Sequence, residues 1–486
     1  MPEFLRFALQ IFYFANIAIG FFVVFFEKRS PSVTWAWIVV IALVPYVGFF
    51  LYLILGFSGR KHRTFVKKCR EGERILDEIQ KIYSPMPPED AVKGLWDTCE
   101  DPKMERFFDL VKMNYTLGNH GLSTNNHLEI YNEGKAKYNS LLQDIKGAKR
   151  YVHMQYFILR NGELGRTILR ALSVKAAEGV EVKIFVDGFG SIMLSSKFFK
   201  PLRDAGGDWA MFFGPMQIRI NYHNHRKLCV IDGEIGYVGG MNIGDEYVGK
   251  KKRFGFWRDT HVRITGDAVL DLEARFICDW NFCSKNKITD YARYLPKSID
   301  QGAPGVPMQV VSSGPDTRWP SIHYAYNRMV YDAAESVYIV TPYFVPDDSL
   351  LESLRTAALS GVDVKIIIPG IPDHFFVFWA SLSYIGELLA AGAKCYKYTN
   401  GFIHAKVMIV DGVAASVGTA NMDIRSLKLN CEVNTFIYDK TTAAALQTQF
   451  FQDLNHSEEI TLQWYNARPR RVIVRESIAR LLSPLM

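Results

Sequence analysis

The chain has 486 residues, of which 49% are hydrophobic and 14% are aromatic. A chain of this length normally folds into more than one domain, and this apolar content excludes a largely disordered protein. The formal net charge of +7 favours anionic partners such as lipid head groups or phosphodiesters. The seven cysteines do not follow zinc-ligand spacing, so we expect reduced thiols and no bound metal.

Two stretches without any charged residue, 7–26 and 33–57, lie near the N-terminus. Each reaches the roughly 20 residues that cross a bilayer as a helix, so residues 1–60 are predicted to form a two-helix transmembrane hairpin. A basic cluster follows the second stretch, and such clusters remain in the cytoplasm. We therefore expect a membrane protein with two spans, whose N-terminus and large C-terminal part both lie in the cytoplasm. The alternative is a pair of buried core helices.

Residues 61–120 are charged and polar with short apolar groups, which indicates a helical linker. Beyond them, segments rich in Val, Ile and Tyr alternate with segments of helical period. Residues 151–157 and 180–186 are predicted strands, and residues 164–178 form a predicted helix between them. This alternation is typical of an α/β domain with a mixed or parallel sheet.

The second part of the chain repeats this plan. Residues 337–344 match the first predicted strand, sharing Tyr-Phe at 156–157 and 343–344. Asp347 and Asp348 can cap the following helix, and Gly361 can end it. A repeat of this length indicates a duplicated domain, so we predict domains at 121–300 and 301–486 with a boundary near 296–307.

One short pattern occurs once in each predicted domain. The copies are HRKLCVIDGEIGYVGGMN, residues 225–242, and HAKVMIVDGVAASVGTAN, residues 404–421. The offset between copies is 404 − 225 = 179 at the His and 421 − 242 = 179 at the Asn, so neither copy has gained or lost a residue. The matched polar residues are His225, Lys227, Asp232 and Asn242 in the first copy, and His404, Lys406, Asp411 and Asn421 in the second.

The residue types in this pattern suit chemistry on a phosphodiester. In an extended segment, the His and the Lys two residues later point to the same side. A phosphodiester needs cationic donors around its oxygens, a nucleophile, and an acid for the leaving oxygen. Two copies facing each other across a pseudo-two-fold axis place one imidazole on each side of phosphorus, as in-line displacement requires.

The paired pattern is similar to that of the phospholipase D superfamily. The two charge-free stretches, the sequence WRDT at 257–260 and the sequence NMDIRS at 421–426 further resemble the bacterial cardiolipin synthases of that superfamily. The resemblance covers nearly the whole chain. It implies an α/β fold in which two tandem phospholipase D-like domains form a pseudo-two-fold bilobal catalytic unit. It also implies phosphatidylglycerol and membrane phospholipids as partners, with no cofactor and no nucleic acid.

The resemblance implies a two-step transfer through a phosphohistidine. His225 is expected to be the nucleophile and His404 the acid and base. Lys227, Lys406, Asn242 and Asn421 are expected to hold the phosphoryl oxygens, which makes a metal ion unnecessary.

Four acidic residues complete the predicted site. Asp259 and Glu432 are expected to orient the two imidazoles. Asp232 and Asp411 belong to the catalytic motif but are expected to act structurally near strand ends. Gly240, where many members of the superfamily carry Ser, is expected to lose one hydroxyl contact to phosphate.

Several alternatives remain open. Water could replace the acceptor lipid, which would make the chain a phospholipase D-type hydrolase, and an inactive membrane scaffold is the third candidate. The aromatic stretch 375–379 is either core packing or a lipid-facing entrance. Residues 468–486 form either a docked terminal helix or an interfacial one.

Overall fold

In the computed structural model, the described residues are 3–26, 31–44, 47–48, 50, 52, 59–82, 90, 101–118, 120–213, 222–295 and 305–483. They divide into two compact units, the first within residues 1–70 and the second within residues 71–213 and 222–483. The predicted boundary at 296–307 lies mostly outside the described residues.

The described helices are α1 (Glu3–Phe26), α2 (Pro31–Leu43), α3 (Gly59–Ile82), α4 (Phe108–Gly118), α5 (Gly134–Gly147), α6 (Glu163–Ala177), α7 (Lys200–Asp204), α8 (Ala268–Cys283), α9 (Ser321–Asp332), α10 (Asp348–Leu359), α11 (Phe375–Ala390), α12 (Ile424–Lys428), α13 (Lys440–Asn455), α14 (Leu462–Asn466) and α15 (Arg470–Leu482). Short 3-10 helices occupy Pro102–Phe107 and Asp245–Val248.

The described strands are β1 (Ser123–Glu133), β2 (Tyr151–Tyr156), β3 (Glu181–Asp187), β4 (Asp208–Phe212), β5 (Leu228–Ile231), β6 (Ile235–Gly239), β7 (Trp257–Thr265), β8 (Val306–Ser313), β9 (Ser336–Val340), β10 (Phe344–Val345), β11 (Asp363–Pro369), β12 (Lys394–Tyr398), β13 (Phe402–Ile403), β14 (Val407–Val410), β15 (Ala414–Gly418), β16 (Met422–Asp423), β17 (Glu432–Ile437) and β18 (Ser457–Ile460).

In the first unit, α1 covers the whole of the first predicted span, and α2 covers part of the second. Trp37, Ile41 and Tyr52 form a small buried cluster against which Ile19 packs. Within the described ranges, no helix has both the length and the apolar character needed to cross a membrane. The structure therefore does not support the predicted transmembrane hairpin. Much of the second predicted span, including 53–57, lies outside the described residues.

In the second unit, a 16-stranded sheet runs through both predicted domains, in the order β18-β12-β11-β9-β14-β15-β17-β8-β1-β7-β6-β5-β2-β3-β4, with β13 beside β7. The order of seven strands outward from β8 to β12 matches the order of the seven strands from β1 to β4, and β18 is an additional strand at the edge of the second half. We refer to residues 121–295 as the first half and residues 305–483 as the second half. The sheet is mixed, because β2, β3 and β4 run parallel whereas β5, β6 and β7 are antiparallel. The predicted α/β fold with a pseudo-two-fold repeat is confirmed.

Local signals correctly predicted the elements around the first βαβ unit. The observed strands β2 and β3 and helix α6 agree with the predicted ranges to within one residue at each end. In the second half, the Asp347 side chain accepts a hydrogen bond from the Leu350 N–H and so caps α10. Gly361 follows that helix with φ 94°, a left-handed conformation that favours glycine.

Strand register corrects the predicted match of the two Tyr-Phe pairs. Val152 lies opposite Ile231, and Val337 lies opposite Val410. Ile231 and Val410 are equivalent motif positions, because 410 − 231 = 179. The first strands therefore correspond with an offset of 337 − 152 = 185, whereas the Tyr-Phe match needs 343 − 156 = 187. That match is wrong by two residues, and the predicted strand 337–344 is divided into β9 and β10.

The predicted linker at 61–120 is helical where it is described, but its C-terminal part is not a linker. Met104, Phe107, Leu110 and Val111 are buried in the same apolar core as β8, α9 and α10 of the second half. In addition, the Arg106 guanidinium lies 3.3 Å from the Asp411 carboxylate. Residues 102–118 are therefore part of the catalytic unit.

Candidate active site

Each motif histidine is paired with a buried carboxylate of the opposite half. His225 Nδ1 lies 2.9 and 3.0 Å from the two carboxylate oxygens of Glu432. His404 Nδ1 lies 2.7 Å from Asp259 Oδ2. Both carboxylates are completely buried. The sequence identified these four residues, but it did not indicate that the pairs cross between the halves.

Backbone pairing between the halves produces this exchange. The His225 N–H donates to Cys431 O at 2.9 Å, which places the histidine beside β17 and Glu432. Symmetrically, the His404 N–H donates to Arg258 O at 2.7 Å, beside β7 and Asp259. The parallel pairing of β13 with β7 extends the second contact. Each histidine is thus attached by its own main chain to the strand that carries its carboxylate.

Both motif histidines are neutral in this buried environment. Burial lowers the pKa of His225 to about 4, although Glu432 acts in the opposite direction. Burial, assisted by the Lys406 charge, likewise lowers the pKa of His404 to about 4. Because each carboxylate accepts from Nδ1–H, the remaining Nε2 carries a lone pair. This is the form that a nucleophilic imidazole requires.

The two motif lysines belong to a single electrostatic centre. Burial lowers the pKa of Lys227 to about 7 and that of Lys406 to about 8. Each lysine also acts on the opposite histidine, since the Lys406 charge lowers the pKa of His225 and the Lys227 charge lowers that of His404. A bound phosphodiester anion would stabilise the protonated lysines. The sequence prediction that both motifs serve one site therefore agrees with their electrostatic coupling.

The lysines differ in how they contact their histidines. Lys406 Nζ lies 3.0 Å from Nδ1 and 3.1 Å from Nε2 of His404. Both lysines donate to the main-chain carbonyl of their own histidine, Lys227 Nζ to His225 O and Lys406 Nζ to His404 O, each at 2.5 Å, so the ring contacts of Lys406 are the difference. The cation therefore lies against the imidazole ring only in the second half.

Both motif asparagines are buried, and both are already partly engaged by the protein. Asn242 accepts the Ile158 N–H at 3.0 Å and donates to the Tyr247 hydroxyl at 2.9 Å. Asn421 donates to the Asp423 carboxylate at 3.0 Å, while its Oδ1 has no hydrogen-bond partner among the described residues. Each amide group retains a second N–H. Their predicted contact with phosphate remains a prediction.

Asp232 directly follows β5, and Asp411 directly follows β14. Each aspartate therefore lies at the end of its motif strand that is remote from the histidine. Asp232 accepts the N–H groups of residues 149, 150 and 151, and Asp411 accepts those of residues 334, 335 and 336. Both have positive φ, 56° and 52° respectively. In the first half these hydrogen bonds hold the turn after β5 against the start of β2. In the second half they hold the turn after β14 against the start of β9.

The residue at position 240 lies against the Asp259 carboxylate, and the equivalent residue at position 419 lies against the Glu432 carboxylate. A Cβ atom at Gly240 would lie 2.0 Å from Asp259 Oδ1. In the second half, the Thr419 hydroxyl instead donates to Glu432 Oε2 at 2.5 Å. The Thr419 hydroxyl therefore holds the carboxylate, and the predicted loss of a hydroxyl contact to phosphate at Gly240 stays a prediction.

A buried ion-pair network was missed by the sequence analysis. Arg226 is completely buried and lies 2.8 Å from Asp279 and 2.9 Å from Asp316. Its Nε also donates to the Glu432 carbonyl at 3.0 Å. Alternation between His225 and Lys227 indicates that this arginine points to the opposite side, where a buried guanidinium requires carboxylates. The sequence pattern alone did not identify which ones.

Aromatic rings surround the histidines. The Phe157 ring centroid lies 4.9 Å from that of His225. Trp257, Tyr247 and Tyr343 lie 5.5, 6.1 and 6.5 Å from His404. These rings reduce the access of water to the imidazoles, which accounts for much of their low pKa values.

Comparison with known proteins agrees with this geometry. The family model described as "Cardiolipin synthase, PLD-like domain" matches residues 141–261 and 326–454, and one described as "Phospholipase_D-nuclease N-terminal" matches residues 14–56. Phosphatidylserine synthase of Haemophilus influenzae Rd KW20 superposes with a TM-score of 0.60 over 78% of this chain and 100% of its own, at 15% identity, which supports the fold alone.

Two sequence relatives are much more similar. The chain is 45% identical to "Major cardiolipin synthase ClsA" of Bacillus subtilis strain 168 over 98% of both chains. It is also 45% identical to "Cardiolipin synthase" of Staphylococcus aureus strain Mu50, over 97% of this chain and 95% of that one. With identity at this level over nearly its whole length, the chain belongs to the cardiolipin synthase family of the phospholipase D superfamily.

Proposed function

We propose that this protein is a phosphatidyltransferase that converts two molecules of phosphatidylglycerol into cardiolipin and glycerol. One observation carries the proposal: two neutral imidazoles, each held by a carboxylate of the opposite half, share one site with two lysines. The names of its relatives identify cardiolipin as the product.

In the first step, His225 Nε2 attacks the phosphorus of one phosphatidylglycerol. A P–N bond forms, the P–O bond to glycerol breaks, and His404 gives its proton to the departing oxygen. Lys227 and Lys406 stabilise the phosphoryl oxygens as charge develops. The anionic substrate favours the protonated form of His404, whose pKa is otherwise lowered by burial.

In the second step, His404 Nε2 accepts a proton from the glycerol hydroxyl of a second phosphatidylglycerol. That oxygen attacks phosphorus, the P–N bond breaks, and His225 leaves as the neutral imidazole. Phosphorus thus exchanges one glycerol oxygen for another. No net proton is released, since the one that His404 receives replaces the one it gave.

The difference between the lysines supports this assignment of roles. Lys406 lies within 3.1 Å of both ring nitrogens of His404, and a nearby cation makes an imidazolium a stronger acid. His225 Nδ1 instead lies within 3.0 Å of both carboxylate oxygens of Glu432. Their negative charge stabilises the positive charge of a phosphohistidine. We therefore assign His225 as the nucleophile and His404 as the acid and base.

Product analysis tests the proposed function. Purified protein is incubated with phosphatidylglycerol vesicles without added divalent metal, and the lipids and free glycerol are quantified. Equal amounts of cardiolipin and glycerol are expected. Phosphatidic acid with glycerol and no cardiolipin would identify a phospholipase D-type hydrolase, and no reaction would favour the inactive scaffold.

We also propose that residues 1–60 attach the chain to the bacterial cell membrane as a two-span hairpin, with cytoplasmic domains at 121–300 and 301–486. The charge-free stretches and the following basic cluster support this topology. Protease is added to sealed inverted and right-side-out vesicles. Cleavage of the catalytic part is expected in inverted vesicles, and cleavage in right-side-out vesicles alone contradicts the topology.

A further inference from the structure

Two equivalent chain segments border the catalytic centre. Segment 188–199 follows the carboxyl end of β3, and segment 370–378 follows that of β11; we call them the first and second rims. In the first rim, the Phe189 ring stacks on His223 with centroids 4.7 Å apart. Immediately before it, Asp187 accepts the Asn224 N–H at 2.8 Å, next to His225.

The second rim is tied to the other histidine. The Tyr343 hydroxyl donates to the Asp373 carboxylate, and the Tyr343 ring lies 6.0 Å from that of His374. The same tyrosine ring is 6.5 Å from His404. Through this tyrosine, helix α11 starts close to the catalytic site. The two rims therefore lie on the two sides of the histidine pair.

Both rims expose large apolar side chains. Met193 is 84% exposed and Ile192 is 57% exposed in the first rim, while Phe375 and Phe376 are 55% and 51% exposed in the second. Single exposed apolar residues are common, but a concentration on both sides of one site indicates an interaction surface. The open question of the aromatic stretch is thereby answered in part, because its first two rings do not pack in the core.

Basic side chains lie beside each rim. Next to Met193, a groove is lined by Arg166, Arg170 and Lys197. Helix α15 packs along α11 and presents exposed arginines and exposed apolar residues together, with the Arg475 guanidinium 5.7 Å from the Trp379 ring centroid. The exposed members of α15 are Arg470, Arg471, Ile473, Val474, Arg475, Ser477, Ile478, Arg480 and Leu481.

We propose that the two rims and their basic flanks form one surface that docks onto an anionic phospholipid bilayer. This inference rests on the proposed function. Apolar side chains enter the boundary between head groups and acyl chains, and arginines and lysines attract the phosphates. The acyl chains of the substrate can then remain in lipid while the phosphodiester reaches the histidines between the rims.

Comparison of two physical forms of one substrate tests the surface. The full-length chain is reconstituted into phosphatidylcholine vesicles and supplied with either long-chain phosphatidylglycerol in the bilayer or dihexanoyl-phosphatidylglycerol dissolved as monomers. The double variant Met193→Asp/Phe375→Asp is expected to lower the ratio of bilayer to monomer turnover at least tenfold. Asp is compatible with the first turn of α11.

Leu359→Asp is the matched control. Leu359 is 69% exposed and precedes β11, whereas the second rim follows that strand, so it lies toward the opposite edge of the sheet. Its ratio is expected to stay within twofold of the wild type. An unchanged ratio in the rim variant, or equal loss on both substrates, overturns the proposal.

The depth of a nitroxide label in the bilayer provides an independent test of the docking surface. A nitroxide attached through Met193→Cys is compared with one attached through Leu359→Cys, with the wild-type chain labelled in parallel as background. The first label is expected to be shielded from a water-soluble relaxation agent when anionic vesicles are added. A label that stays in water overturns the docking surface. If the wild type makes no cardiolipin from either substrate form, the proposed function fails, and this measurement still tests the surface.

Discussion

The two histidine environments reach the same geometry with different side chains. His404 is held by the shorter carboxylate, Asp259, and the facing position 240 is glycine because a Cβ there would lie 2.0 Å from Asp259 Oδ1. His225 is held by the longer Glu432, and position 419 supplies a threonine hydroxyl to that carboxylate. Each half thus contains a fitted pair, and exchanging one member alone should disrupt it.

Removing either imidazole should have the largest effect. His225→Ala and His404→Ala are each expected to lower kcat by roughly 10⁴-fold or more, because nucleophile and acid act as a unit. A phosphatidyl ester of p-nitrophenol separates the roles, since that leaving group needs no acid. With it, His404→Ala should still release nitrophenolate in a burst and form an acid-labile phosphohistidine, and His225→Ala should not. The reverse pattern would exchange the two assignments.

Neutralising the carboxylates should have the next largest effect. Glu432→Gln and Asp259→Asn keep the shape but remove the charge that fixes each imidazole tautomer, so kcat should fall by roughly 10²- to 10⁴-fold. Rapid-quench measurement should show that Glu432→Gln slows phosphohistidine formation even with the nitrophenyl substrate. Asp259→Asn should spare that step. If both variants slowed phosphohistidine formation equally, the two histidines would not have the separate roles of nucleophile and acid.

Substitutions at positions 240 and 419 should lower kcat less than the loss of a carboxylate charge. Gly240→Thr is expected to displace Asp259 and lower kcat by roughly 10- to 100-fold, whereas Thr419→Val removes one hydrogen bond and should cost about tenfold. The double variant Gly240→Thr/Asp259→Glu copies the second-half pair into the first half. It should recover part of the activity, and failure to exceed Gly240→Thr alone would show that the pairs are not interchangeable units.

The buried lysines predict a decline at alkaline pH. The pKa values of about 7 for Lys227 and about 8 for Lys406 mean that both are charged below these values and lose charge as pH rises through them. A pH profile of kcat/KM, which reports the free enzyme, should fall between about pH 7 and 9. Lys227→Arg should move the start of this decline to higher pH. A profile that stays flat to pH 9 would contradict the role of the lysines.

The motif aspartates should have the smallest effect on turnover. Asp232→Ala leaves three N–H groups without their acceptor, which should lower the free energy of unfolding by about 2–4 kcal/mol while kcat of the folded enzyme changes less than threefold. Thermal unfolding and kcat are measured on the same sample. Asp204→Ala, at an exposed aspartate, is the control. A large loss of kcat with unchanged stability would place Asp232 in the chemistry.

Residue types and spacing predicted the first βαβ unit, the duplicated domain and both His–Lys pairs, because these signals are local or repeat in register. Spacing could not predict the match between the first strands of the two halves, since insertions outside the motif shift the offset from 179 to 185. It also assigned residues 102–118 to a linker, because the apolar core that buries their four side chains is built mostly from the distant second half.

By itself, the sequence determined which groups are candidates for the chemistry, since His, Lys and carboxylate chemistry is a property of the side chains. Only the tertiary structure decided which carboxylate serves which histidine. His225 pairs with a residue 432 − 225 = 207 positions away and His404 with one 404 − 259 = 145 positions away, across the sheet centre. Pairing between the halves brings those strands together, and burial there makes the imidazoles neutral. No local pattern encodes either effect.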